Sequence, residues 1–192
     1  MSHISRAWLV VLAFVVTGCS SSTSPSSTAA STFNVMLTDS PFSDGKALLV
    51  TFSEVSAHAT GGAFVTLPFA SNATSRTCDL KRLTNGAQDI LGTAPLAAGH
   101  YTQVRLVVSS ATIYFDNPSS ATSGCAPTIS APAGKSAAVT VPSGMVLLNR
   151  EFDVTSTGAT SMLLDFNGDQ SVIATGNSQY IMTPVISVVS VQ

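Results

Sequence analysis

The chain has 192 residues, a formal net charge of −2, 45% hydrophobic residues and only 9% charged ones, where an average soluble domain carries about 25% charged residues. Its polar surface must therefore be built from Ser, Thr, Asn and Gln. Neither the basic footprint of a nucleic-acid binder nor an acidic tail is present.

The first segment, Met1-Ser-His-Ile-Ser-Arg6, is positively charged, Ala7–Val16 is an unbroken apolar run, and Val16-Thr17-Gly18 places small residues just before Cys19. An apolar run this short cannot cross a bilayer, which takes about 20 residues, so residues 1–18 read as a cleavable signal peptide ending in a lipobox. Cys19 is then the expected lipidation site, its several acyl chains anchoring the mature protein where a single chain would exchange. The membrane, reached through lipidated Cys19, is the first expected partner, and a bacterial cell envelope the expected location. Ser20 follows in place of Asp, which in a Gram-negative cell resembles lipoproteins sent on to the outer membrane. Residues 19–32 are nearly all Ser, Thr and Ala, without side chains large enough to offset the entropy of ordering, and read as a flexible tether. Residues 33–192 suit one domain with one core. Without Arg6 the formal balance of the remainder becomes −3.

From Phe33 onward strand chemistry dominates and no long apolar pattern of helical period occurs. Phe33–Thr38 is a first strand, ended by the turn-rich Asp39-Ser-Pro-Phe-Ser-Asp-Gly45. In Ala47–Ala59 the apolar positions are Leu48, Val50 and Phe52, then Val55, Ala57 and Ala59; this change of parity predicts a bulge near Ser53–Glu54. Gly61-Gly62 predicts a hairpin turn into Ala63–Leu67, Asn72-Ala-Thr74 reads as loop, and Ala87–Gly92 is the one segment resembling a helical turn. Tyr101–Asp116 repeats the parity flip, at Ser109–Ser110. Later strands are expected at Ala138–Val141, Met145–Leu148, Glu151–Val154, Ser161–Asn167 and Thr183–Val191, the last apolar on both parities and so expected mid-sheet.

Cys78 and Cys125 are the two remaining cysteines, and an exported protein meets an oxidising compartment, so a disulfide is expected between them. The motif Leu96-Ala-Ala-Gly99-His-Tyr101 has the spacing of a tyrosine corner, whose hydroxyl bonds back to upstream backbone in Greek-key sandwiches. It also fits a glycine turn before an ordinary strand. The expected fold is all-β: an antiparallel two-sheet sandwich of Greek-key type, immunoglobulin-like or transthyretin-like.

Several segments together resemble the bacterial lipoprotein family DUF4382, a domain of unknown function. They are Leu37-Thr-Asp-Ser-Pro41, Asp79-Leu-Lys-Arg-Leu83, Ala98-Gly-His-Tyr-Thr-Gln-Val-Arg-Leu106, Val141-Pro-Ser-Gly144, Phe152-Asp-Val154, Leu163-Leu-Asp-Phe166 and Thr183-Pro-Val-Ile186. The resemblance spans nearly the whole mature domain and implies a sandwich, but it brings no reaction and no catalytic residues. This chain has Asn167 where the family commonly places an acid after the Asp-Phe pair.

For metal chemistry, Asp165, Asn167 and Asp169, joined by Asp39 or Asp44, could supply oxygen ligands to Ca2+, a hard cation that takes six to eight of them. The same residues simply end a strand in a turn. No cofactor other than Ca2+ is suggested. Arg105 and Asp165 are candidates for an exposed cross-strand ion pair. His58 and His100 lack the companions of a hydrolytic triad, and no G-x-S-x-G occurs. Two functional classes follow. The first is a non-enzymatic binding, adhesion or assembly module, whose partner would be another envelope protein or a glycan. The second is an envelope polysaccharide hydrolase using a carboxylate pair drawn from Asp39, Glu151, Asp153 and Asp165.

Overall fold

The computed structural model describes residues 30–40 and 43–192. Residues 1–18, Cys19 and the tether as far as Ala29 lie outside the described residues. Along the chain run β1 (Ala30–Ser40), β2 (Ala47–Ala59), β3 (Phe64–Thr66), β4 (Arg76–Asp79), β5 (Asp89–Ala97) and β6 (Gly99–Tyr114). Then come β7 (Cys125–Ala126), β8 (Ser136–Thr140), β9 (Met145–Val154), β10 (Ala159–Asn167), α1 (Gly168–Ser171), β11 (Val172–Gly176), β12 (Gln179–Met182) and β13 (Ile186–Val191).

The strands form a four-stranded sheet, β13-β10-β1-β5, and a nine-stranded sheet, β11-β12-β8-β6-β2-β4-β7 with β3 beside β2 and β9 beside β6. The two sheets pack face to face. Phe33 of β1 stacks on Phe152 of β9, with ring centroids 4.8 Å apart, and Phe52 of β2 meets Phe166 of β10 edge-on. The alternating residues Phe33, Val35 and Leu37 of β1 and Met162, Leu164 and Phe166 of β10 are fully buried, the period-2 pattern of a strand with one face on a core. The all-β sandwich is therefore present. Both sheets are mixed, not purely antiparallel, because β1 pairs parallel with β10 and β8 with β12. Neither strand order contains the 4-1-2-3 arrangement of consecutive strands that marks a Greek key within a sheet.

The two parity flips become facing bulges. Between Thr51↔Ser110 and Glu54↔Val107 the register shifts, leaving Ser53 and Ser109 without rungs, so Val55 and Ala57 return to the core side. Three expectations are corrected. The segment read as a helical turn at Ala87–Gly92 enters β5, an edge strand that accommodates Gly92 and Pro95. Thr183–Val191 is not mid-sheet: β13 is an edge strand. Its double apolar parity arises because the register shifts between Leu163 and Leu164, and Val189 is the residue skipped. Finally, β1 begins at Ala30, which pairs with Ala97 of β5, so the last residues of the Ser/Thr-rich stretch are strand.

The outer face of the larger sheet is divided. At one end, Ala47, Leu49 and Tyr114 form a second small core with Ile129 from the segment between β7 and β8. The other end, around β9, carries exposed side chains.

Candidate functional site

The parallel pairing of β1 and β10 brings their C-terminal ends to one pole, with Thr38↔Asp165 and Ser40↔Asn167 in register. The acidic and amide residues meet here, each with its own partner. Asp165 Oδ2 accepts from Ser40 Oγ at 2.6 Å. Asn167 Oδ1 caps α1 by accepting from Gln170 N at 2.9 Å, and Asp169 Oδ1 accepts from Ser43 N at 2.9 Å. Asp39 is the inward residue of this set, only 4% exposed. Its Oδ1 accepts from Gly168 N at 3.1 Å, while Oδ2 has no hydrogen-bond partner. Burial pushes its carboxyl up to about 8, against the bond from Gly168 N, and the charges of Asp165 and Asp169 push the same way. Among the described residues no group of three or more His, Cys, Asp or Glu side chains is arranged to hold a metal ion. The Asp165, Asn167 and Asp169 side chains are spent on strand end, helix cap and turn.

The other candidates lie elsewhere. Tyr101 Oη donates to Ala97 O at 3.0 Å, four residues upstream, and its ring stacks on Phe152 at 5.3 Å. Leu96 is buried against the same core, and Gly99 opens β6. Cys78 and Cys125 form a disulfide across the paired strands β4 and β7. His58 Nδ1 lies 3.1 Å from Thr102 Oγ1. His100 Nδ1 is 2.8 Å from Asp153 at the opposite pole from Asp39. Arg105 pairs with Glu54 of β2, not with Asp165, and its guanidinium lies over the Phe64 ring at 4.2 Å. That bond holds the Glu54 carboxyl below the ordinary glutamate range. The four acids proposed for a carboxylate pair are thus divided: Asp39 and Asp165 at one pole, Glu151 and Asp153 at the other.

Sequence reasoning missed two buried polar anchors. Arg76 reaches Asp89 and Cys125 O, each at 3.2 Å, and Asp89 Oδ2 accepts from Cys125 N at 2.8 Å. Asp79 accepts from Leu48 N at 3.2 Å and from Ser119 Oγ at 2.5 Å, while Arg82 donates to Ser119 O at 2.9 Å. These bonds pin the long connection between β6 and β8 to the sheet. The only signal in the sequence was the pair of charges, Arg76 and Asp79, that flank Cys78 within β4.

The surface has three further features. On β9, Met145 and Leu147 are 57% and 50% exposed, and they stand opposite Val107 and Arg105 of β6. A groove of about 460 Å³ lies between β8 and β12. A second cavity, of about 280 Å³, is lined by Glu54, Val55, Leu67 and Phe69.

A family model described as Domain of unknown function (DUF4382) matches residues 30–184. The chain belongs to the DUF4382 family. No curated protein and no solved structure matches it. Four of the DUF4382 segments named above form junctions. Asp39 N and Thr38 Oγ1 both donate to Leu83 O, tying the first segment to the second. Val108 N donates to Gly144 O at 2.8 Å, and a Cβ at Gly144 would lie 1.9 Å from Val108 O, so only glycine fits this approach. Thr183 N and Val185 N reach Ser171 O and Oγ. These segments hold strands, loops and the short helix together; the uncommitted groove and patch lie outside most of them.

Proposed function

We propose that this DUF4382 protein is a lipid-anchored, non-enzymatic binding module of the bacterial envelope, displayed on the chain that follows Cys19. The observation that carries this reading is the aliphatic patch of Met145, Leu147 and Val107 on the outer face of the larger sheet. The opposite end of that face is sealed by Ile129 over Ala47, Leu49 and Tyr114, so leaving the β9 end open is not a general property of the face. Exposed apolar side chains grouped on one surface are typical of contact sites.

The test is crosslinking and capture of the lipidated protein from intact cells, comparing the natural chain with Leu147→Glu. Reproducible recovery of one envelope component by the natural chain, lost in the variant with its thermal midpoint unchanged, supports the module. Equal recovery by both, or none by either, removes the patch as the contact site.

A second reading is favoured by one observation: Asp39 Oδ2 is unpartnered with the Asp165 charge close by, and burial pushes the Asp39 carboxyl up, the direction a general acid needs. That reading predicts hydrolysis of an envelope polysaccharide that disappears in Asp39→Asn.

A further inference from the structure

We propose that β13 is the pairing edge of a two-fold dimer, in which a second copy of this chain adds its own β13 antiparallel to the first. The strand itself indicates the partner. Ile186–Val191 reads Ile-Ser-Val-Val-Ser-Val, the same in both directions apart from Ile at one end and Val at the other. Two identical strands paired antiparallel about a centre between Val188 and Val189 set Ile186 opposite Val191, Ser187 opposite Ser190 and Val188 opposite Val189. Every position meets its own kind, which an isologous contact requires and a strand from an unrelated protein does not. None of these residues is charged, and none is Pro or Gly, so no like charges oppose one another and every N–H is kept.

An unbroken strand could not adopt this register. Residues an odd number of positions apart point to opposite faces, and directly opposite residues of an antiparallel pair must share one. The bulge at Val189 removes the conflict. Val191, Val188 and Ile186 stand opposite Met162, Leu164 and Phe166 of β10 and pack against the core, while Ser187 and Ser190 stand opposite Asp165 and Leu163 on the outer face. Ile186 and Val191 thus share the inner face, and the two serines share the outer one. At the centre, Val188 and Val189 form facing bulges, the arrangement that β2 and β6 already make at Ser53 and Ser109. The backbone directions fit the same register. Ser161 N donates to Gln192 O at 2.7 Å and Gln192 N to Ser161 O at 2.9 Å, so the adjacent residue, Val191, turns its N–H and C=O away from β10. Asn167 N donates to Val185 O at 2.9 Å, and Ile186 turns outward in the same way. Among the described residues β13 pairs with β10 alone. The outward backbone groups therefore belong to Ile186 and Val191, the two residues that the dimer sets opposite each other. The other edge of this sheet is closed to such pairing, because β5 contains Pro95 and its Thr93 N donates to Pro68 O at 3.3 Å.

This edge is separate from the β9 patch, so the two readings stand or fall independently. The full mature protein, purified in detergent, is oxidised and run on non-reducing gels as Ser187→Cys, Ser190→Cys and the double variant Ser187→Cys/Ser190→Cys. In the proposed register the two positions face each other across the two-fold with Cα atoms about 4.5–5.5 Å apart, within reach of a disulfide. Within one strand they are about 10 Å apart, and neither lies opposite its own copy. Cys78 and Cys125 are already bonded to each other. The double variant should crosslink to a dimer and the single variants should not. Sedimentation equilibrium in density-matched detergent should show the natural chain as a dimer. Val189 is 57% exposed, and Val189→Lys should weaken association about tenfold or more by placing two like charges beside the two-fold. Leu147→Glu should leave association unchanged. A monomeric natural chain, a double variant that does not crosslink, single variants that crosslink as much as the double, or a dimer undiminished in Val189→Lys overturns the proposal.

Discussion

Replacing Asp39 with asparagine should make the protein more stable at neutral pH and flatten its dependence on pH. Asp39 is buried at the junction of β1, β10 and α1, with Oδ1 on Gly168 N and Oδ2 unpartnered. Its carboxyl is held near 8 where an unperturbed one ionises at 3.8. Between those values the unfolded chain has released this proton and the folded chain retains it. Stability contributed by the site is thus intact below about pH 4 and falls as pH rises, by about 1.4 kcal/mol per unit, until the folded carboxyl ionises near pH 8. The full range amounts to at most about 6 kcal/mol, and the step from pH 5 to pH 7 to about 3 kcal/mol. Asparagine keeps the acceptor for Gly168 N and cannot ionise. Urea unfolding followed by circular dichroism at half-unit intervals from pH 4 to pH 8.5, for the natural chain and Asp39→Asn, isolates the site by difference. The gap between the two should widen with pH in favour of the variant. A gap independent of pH would refute the reasoning.

Four further outcomes are expected. Closing a loop of 47 residues, the Cys78–Cys125 bond should contribute about 4 kcal/mol, so Cys78→Ala/Cys125→Ala should unfold at markedly lower urea, with no further effect of reductant. Tyr101→Phe keeps the stack on Phe152 and removes the bond to Ala97 O, and should cost about 1–2 kcal/mol by the same assay; a change near zero would make that hydroxyl incidental. Leu147→Glu, on an exposed position of β9, should change stability by less than about 0.5 kcal/mol. Because Asp165, Asn167 and Asp169 are engaged with Ser40, Gln170 and Ser43, neither millimolar calcium nor chelator should move the melting midpoint; a rise with calcium reversed by chelator would restore the cation site.

What could be read from the sequence was whatever left a periodic trace. The parity flips at Ser53–Glu54 and Ser109–Ser110 record bulges because one extra residue reverses every inward side chain after it, and the register shifts at those positions. A disulfide follows from having only two cysteines after Cys19, and Cys78 and Cys125 are bonded. The failures have equally local causes. In β5, Gly92 and Pro95 break the strand signal, yet an edge strand tolerates both. In β13, the bulge at Val189 imitates a two-sided buried strand. Asp39 reads as a turn residue because the strand pattern fades at Thr38; its burial depends on β10 running parallel beside it, a pairing between segments far apart in the chain. The β8–β12 groove is invisible for the same reason: its Ser, Thr and Gln residues resemble the rest of this polar surface until two short strands are brought side by side.

The proposed lipid anchor is tested most directly by mass spectrometry of the N-terminal peptide of the protein made in an envelope-competent bacterium. The expected result is a chain that begins at Cys19 and carries diacylglycerol on its sulfur and an acyl chain on its amine. A chain that retains Met1–Gly18, or one that carries an unmodified Cys19, would contradict it.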